Sequence, residues 1–310
     1  MERIAYLFPG QGSQYVGMGA ALAEKYPEAR EVFAQADAIL GIPLSRIAWE
    51  GPADLLNDTV NTQPALLVHS VAALRVLETR FPHAQATFTA GHSLGELSAL
   101  VAAQALPFED ALRLVRRRGE LMKQAGEQSP GGMAAIIGLD IPALEAICEQ
   151  ASAPGDTVQI ANDNCPGQVV ISGNEAALER ALEAASQAGA RRAIRLAVSI
   201  AAHSRLMEAA QREFSRAVEA APIQTPRLPV VGNVTARPLE SPEAIRADLQ
   251  AQLTSRVRWT ESIRYLLEQG VDTFVEIGSG EVLLGLVKRI HRKAKRIPFG
   301  KPEDGAALAV

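Results

Sequence analysis

Apolar positions recur along this chain with two different spacings, and the change from one to the other marks out its elements. The apolar run Ile4–Phe8 stops at Pro9-Gly10 and reads as a buried strand entering the Gly-rich loop Pro9-Gly10-Gln11-Gly12-Ser13-Gln14. Helix-spaced apolar residues follow around Gly19–Tyr26 and Ala29–Leu40. Another helix is expected over Ala65–Arg80, with Pro64 in its first turn, where a missing N–H costs nothing. A β-rich segment, Ala86–Ala90, meets Gly91-His92-Ser93-Leu94-Gly95, and helical stretches Glu96–Ala105 and Phe108–Gln124 come after it.

The texture changes at the Gly-, Pro- and Ser-containing stretch Glu127–Gly132. Beyond it the pattern reads strand (Ala134–Gly138), helix (Pro142–Ala151), strand (Val158–Asn162), strand (Gln168–Gly173), helix (Glu175–Ala188) and strand (Ala190–Leu196). That β-α-β-β-α-β order predicts a ferredoxin-like subdomain at residues 129–196. It would be inserted into a larger α/β domain made of residues 1–128 and 197–310, with further strands at Pro229–Asn233 and Thr273–Ile277. The tail Lys301–Val310 reads as a loose end.

Composition narrows the function without naming it. The 310 residues are 47% hydrophobic and 21% charged, which suits a globular protein with a substantial core. Thirty-one basic against 35 acidic residues leave a net charge of −4, so there is no overall basic field for nucleic acid. No apolar run approaches the roughly 20 residues of a membrane span, and no signal peptide is evident. Two cysteines, Cys148 and Cys165, form no Cys-x-x-Cys pair, which fits a cytoplasmic protein. The five histidines lie far apart and make no zinc-protease pattern, so no metal site is expected.

The chemistry concentrates at Gly91-His92-Ser93-Leu94-Gly95, a Gly-x-Ser-x-Gly sequence entered by a strand and left by a helix. That is the context of a nucleophile elbow, although a plain strand–helix turn can also contain a serine. Glycines on both sides permit a sharp turn, and Ser93 would sit at a helix N-terminus with the Leu94 N–H as an oxyanion donor. A serine hydroxyl needs a base. His203 is the best placed, in a loop after Ser199-Ile200-Ala201-Ala202 and before Ser204. His69 reads as a core histidine, His83 and His291 as loop or surface residues, and His92 as pointing away from the nucleophile. Glu96 reads as helix-start chemistry, an acid complementing the dipole. Gly10 and Gly12 complete no nucleotide-phosphate motif.

With these residues in view, the chain resembles the malonyl-CoA:acyl carrier protein transacylases and the acyltransferase domains of polyketide synthases. The resemblance runs through Phe8–Gln14, Gly91–Glu96, Arg118-Gly119, Asn162–Gly173, His203-Ser204, Gln252-Leu253, Val257-Arg258-Trp259 and Glu276–Gly280, in that order. It implies an α/β-hydrolase-like core with an inserted ferredoxin-like subdomain. It also implies transfer of a malonyl group from CoA to the phosphopantetheine thiol of an acyl carrier protein through an acyl-serine, with no cofactor. By the same resemblance Ser93 is the nucleophile and His203 the base. Gln11 and Leu94 flank the oxyanion hole, Arg118 grips the malonyl carboxylate, and the Gln252 carbonyl orients the imidazole. Arginine suits that task because its guanidinium binds a carboxylate through two parallel hydrogen bonds. Arg116 and Arg117 read as a solvated helix face.

Ile200-Ala201-Ala202 ahead of His203 departs from both the His-Ala-Phe-His of malonyl-selective and the Tyr-Ala-Ser-His of methylmalonyl-selective polyketide acyltransferases. Malonyl preference with some tolerance of methylmalonyl is the expectation. Two basic stretches, one holding Arg191, Arg192 and Arg195 and the other Lys288–Arg296, are either solvated faces or a seat for an acidic carrier protein. A serine thioesterase, the malonyl-transfer subunit of a malonate decarboxylase and a non-catalytic carrier-protein binder are the competing readings.

Overall fold

β1 (Ile4–Phe8) is apolar throughout because both of its faces are covered. Ile4, Tyr6 and Phe8 enter one core, while Ala5 and Leu7 enter the other. The computed structural model describes residues 3–308. In it β1 lies between β2 (Ala86–Gly91) and β9 (Thr273–Ile277), parallel to both. β10 (Lys295–Phe299) extends the sheet beyond β9, and β7 (Val230–Val231) with β8 (Pro238–Leu239) extends it beyond β2. Only β8 runs antiparallel to its neighbour in this six-stranded sheet, so the C-terminal ends of five strands open on the same side. Ligands of open α/β sheets gather at that end.

The second sheet is antiparallel, with β3 (Gly131–Ile137), β4 (Val158–Cys165), β5 (Gln168–Asn174) and β6 (Arg192–Arg195) in the order β4-β5-β3-β6. The helices Ile141–Ala151 and Glu175–Gln187 cover one face and share a core with Ala134, Ile136, Val169 and Ile171. The end of β4 is tied to the larger unit. Asp163 N–H donates to Val257 O at 2.9 Å, and Val257 N–H donates to Ala161 O at 2.8 Å.

Four local expectations need correction. The helix expected from Ala65 begins at Thr59, where the Asp58 side chain accepts the Val60 N–H, so Pro64 lies inside it. The carbonyl that Pro64 cannot serve, Val60 O, accepts from Arg116 Nη1 at 3.1 Å, so Arg116 is structural rather than a solvated cation. β10 lies within the segment read only as a basic stretch. Finally, the tail folds into a 3₁₀ helix, Pro302–Ala307, because Asp304 accepts the Gly300 and Lys301 N–H groups. Residues 309–310 of that tail lie outside the described residues.

Candidate active site

The nucleophile elbow forms where β2 ends against β1. Ser93 has φ 54°, a left-handed conformation that costs a non-glycine residue of order 1–3 kcal/mol. Its surroundings enforce the conformation. A Cβ on Gly91 would lie 1.9 Å from Gly95 O, and one on Gly95 would lie 2.2 Å from Phe8 O. Neither contact is sterically allowed, so both flanking positions require glycine. Asn233, at the end of β7, clamps the turn by accepting the Ser93 N–H at 2.7 Å and donating to Gly91 O at 2.7 Å. The Leu94 and Gln11 N–H groups donate to no protein acceptor among the described residues. The Gln11 side chain faces away into a bond with the Thr59 hydroxyl at 2.9 Å.

His203 lies beside Ser93, with Nε2 2.8 Å from Ser93 Oγ. Its other nitrogen, Nδ1, faces two carbonyls, Gln252 O at 2.9 Å and Ser255 O at 3.1 Å. Carbonyl oxygens only accept, so Nδ1 carries the proton and Nε2 is left to accept from the Ser93 hydroxyl. Burial, and next the positive charge of Arg118, lower the imidazole pKa to about 3, so the ring is a neutral base.

Arg118 comes from the helix Phe108–Gln128 and is almost wholly buried. Nη1 donates to Gln63 Oε1 at 2.7 Å, and Nη2 donates to Ser93 Oγ and Gln252 Oε1, both at 3.0 Å. Nε has no partner. Burial lowers the guanidinium pKa to about 10, which still leaves it charged near neutrality. Arg118 is thus a buried cation beside the serine hydroxyl to which, among the described residues, no carboxylate is hydrogen-bonded. Gln63 is a site residue that sequence reasoning missed, since a glutamine in an apolar helix has no distinguishing pattern. Asn233 is another, although the Gly232-Asn233 turn signal marks its place.

The remaining candidates fall at varied distances from the chemistry. Ala201 is fully buried, its Cβ close to Gly131. Ile200 packs near Gly126, and Ala202 is half-buried between the main core and Met133, Ala161 and Val170. His92 bonds Asn164 Oδ1 at 2.8 Å and meets Trp259 edge-on. His69 is buried on Gly300 O. Glu96 does lie in the first turn of the helix Gly95–Ala102. It is fully buried and accepts from Gln252 Nε2 at 2.6 Å. Arg191, Lys288, Arg289 and Arg292 come together around one cleft of about 820 Å³ between the β4–β5 turn and the helix Val282–Ile290.

Residues 5–301 match the acyl transferase domain family. The chain is 47% identical over 305 residues to a malonyl CoA-acyl carrier protein transacylase of Bacillus subtilis, covering 98% of this chain and 95% of that one. It is likewise 47% identical over 307 residues to the Escherichia coli K12 enzyme of the same name, covering 99% of each. Among solved structures, the acyl-carrier-protein S-malonyltransferase of Bartonella henselae superposes with a TM-score of 0.94 at 45% identity, over 99% of this chain and 100% of that one. A malonyl-transacylase in complex with its type II polyketide acyl-carrier protein superposes with a TM-score of 0.96 at 43% identity, over 99% of each chain.

Proposed function

The chain belongs to the acyl transferase family, and from that premise we propose that Ser93, His203 and Arg118 carry a malonyl group from CoA to an acyl carrier protein. The observation that carries this reading is Arg118. Its unpaired Nε and its Nη2 form the edge of a guanidinium that a carboxylate can take through two bonds, next to the hydroxyl that would hold the acyl carbon.

The first half-reaction starts when His203 Nε2 takes the Ser93 proton and Oγ attacks the thioester carbon. The Leu94 and Gln11 N–H groups receive the negative charge on the carbonyl oxygen. The C–S bond breaks, and the imidazolium returns the proton to the CoA sulfur. In the second half the phosphopantetheine thiol gives its proton to His203 and forms a new C–S bond. The C–O bond to Ser93 then breaks and the serine is reprotonated. Gln252 O and Ser255 O take the place of a triad acid by holding the Nδ1 proton. These steps balance with side chains and substrate alone, so we assign no cofactor.

Residues 1–128 with 197–310 form, in this reading, the α/β-hydrolase-like catalytic domain, and residues 129–196 the ferredoxin-like subdomain beside it. The carrier protein would approach the cleft of Arg191, Lys288, Arg289 and Arg292, and the two free cysteines suit a cytoplasmic setting. Ile200, Ala201 and Ala202 would bound the acyl pocket. A methyl group is worth only about 1–3 kcal/mol in such a pocket, so methylmalonyl is accepted less well than malonyl rather than refused.

Intact-protein mass spectrometry after brief exposure to malonyl-CoA tests the acyl-serine. One malonyl adduct is expected, and none on Ser93→Ala. Free malonate without an adduct would instead indicate a hydrolase.

A further inference from the structure

Gln252 is hydrogen-bonded to Ser93, His203 and Arg118, and two buried acids lie against it. Its backbone carbonyl takes the His203 Nδ1–H, and its side-chain oxygen accepts from Arg118. Its side-chain nitrogen donates to Ser93 O at 3.2 Å and to Glu96 Oε2 at 2.6 Å. Glu96 is fully buried, and Asp248, on the same helix as Gln252, is 4% exposed. Asp248 Oδ1 accepts the Val234 N–H at 3.2 Å. Asp248 lies one helical turn before Gln252 and beside Glu96, and each acid keeps one buried oxygen with no partner among the described residues, Glu96 Oε1 and Asp248 Oδ2.

Ionised carboxylates only accept hydrogen bonds, so two of them cannot bond to each other in a dry site without a proton between them. Asp248 faces backbone N–H donors, which favour its charged form, whereas Glu96 lies deepest and against the Asp248 charge.

We propose that Glu96 and Asp248 are positioning residues that share one proton, Glu96 Oε1–H donating to Asp248 Oδ2, and that this leaves Glu96 Oε2 as the acceptor that fixes the Gln252 amide. With its nitrogen held by Glu96, Gln252 must turn its oxygen to Arg118. The reversed amide would set NH₂ against guanidinium, donor against donor. The consequence for malonyl transfer rests on the Arg118 assignment proposed above; the shared proton and the amide orientation do not.

Glutamine at position 96 copies the protonated acid, offering its oxygen to Gln252 and its NH₂ to Asp248, whereas alanine offers neither. Malonyl transfer by Glu96→Ala is expected to fall roughly 10- to 100-fold, with Glu96→Gln recovering to within about threefold of wild type. Circular dichroism confirms that each variant is folded. The second readout is the infrared difference spectrum, wild type minus Glu96→Gln, at neutral pH. It should contain the C=O stretch of a protonated carboxylic acid, and Asp248→Asn should abolish that band, because the new amide can donate to an ionised Glu96. Absence of the band, or a Glu96→Gln enzyme as impaired as Glu96→Ala, would overturn the shared proton. A band present together with equal loss of malonyl and acetyl transfer in Arg118→Ala would uphold the shared proton and overturn the Arg118 assignment instead.

Discussion

Ser93 and His203 sit at almost the same left-handed backbone angle, φ 54° and 57°, yet their turns are built from different materials. The Ser93 turn is made by crowding. Gly91 and Gly95 let the main chain pass within distances that no Cβ tolerates, and Gly10, whose Cβ would lie 2.5 Å from His92 O, does the same for the neighbouring loop. The His203 turn is made by hydrogen bonds from elsewhere. Gln159 Nε2, on β4, donates to His203 O and Thr254 O, both at 3.1 Å, and the Ser204 hydroxyl donates to Ala201 O at 2.6 Å. One catalytic turn thus depends on its own glycines, with Asn233 as a clamp, and the other on a strand of the second sheet more than 40 positions away in sequence.

The largest break in this comparison is His203→Ala. Loss of the base should lower kcat for malonyl transfer by about 10⁴- to 10⁶-fold, as for catalytic groups that act as a unit, while Ser93 keeps its Asn233 clamp. Stopped-flow release of CoA measures it. The same residue predicts a pH dependence. Its folded pKa is about 3, below the ordinary 6.5, so the unfolded state binds the proton first as pH falls. The stability is fully present above pH 6.5 and is lost progressively toward pH 3. At pH 5 the loss from this group is roughly 2 kcal/mol, and urea titrations should find His203→Ala less weakened between pH 7 and 5 than the wild type. Activity should likewise show no acid limb near 6.5.

Arg118 belongs to neither turn, and its removal separates recognition from catalysis. Arg118→Ala is expected to cost roughly 2–5 kcal/mol in kcat/KM toward malonyl-CoA, as for other truncated buried charge pairs, and much less toward acetyl-CoA. Equal losses on both esters would sink the carboxylate assignment and leave Arg118 as a support for Ser93.

Gly95→Ala attacks the crowded turn directly. The added Cβ must displace the Phe8 carbonyl, and overpacking of this kind costs about 1–3 kcal/mol or more in stability. A fall in the urea midpoint together with loss of acylation is the expected outcome; an unchanged midpoint would mean that β1 and the elbow can move apart.

These differences account for what could be read from the sequence. β1 is legible because a strand buried on both faces is apolar along its whole length. The elbow is legible because steric need for glycine leaves a local mark. The start of the helix at Thr59 was not, since Pro64 looks like a helix start until Arg116 is seen to serve the Val60 carbonyl. Nor were Gln63, Asn233 and Gln159, whose amides act only through partners that folding supplies. Glu96 was legible only in part for the same reason. Its position next to the elbow fits a dipole partner, and only its burial against Asp248 and Gln252 says more.

The smallest effect in the series tests the turn held from a distance. Gln159→Leu keeps the side-chain bulk on β4 and removes the donor to His203 O and Thr254 O, together with the acceptor of the Arg205 N–H. At about 1 kcal/mol for each bond to His203 and its neighbour, the loss should be roughly 5- to 30-fold in kcat, with little change in KM, because the base is misplaced rather than absent. Gln159 touches neither Ser93 nor Arg118, so acylation would slow while malonyl-over-acetyl selectivity stays as in the wild type. A variant as fast as the wild type would mean that the Nδ1 bonds to Gln252 O and Ser255 O hold the ring unaided, and that the second sheet does not govern the base.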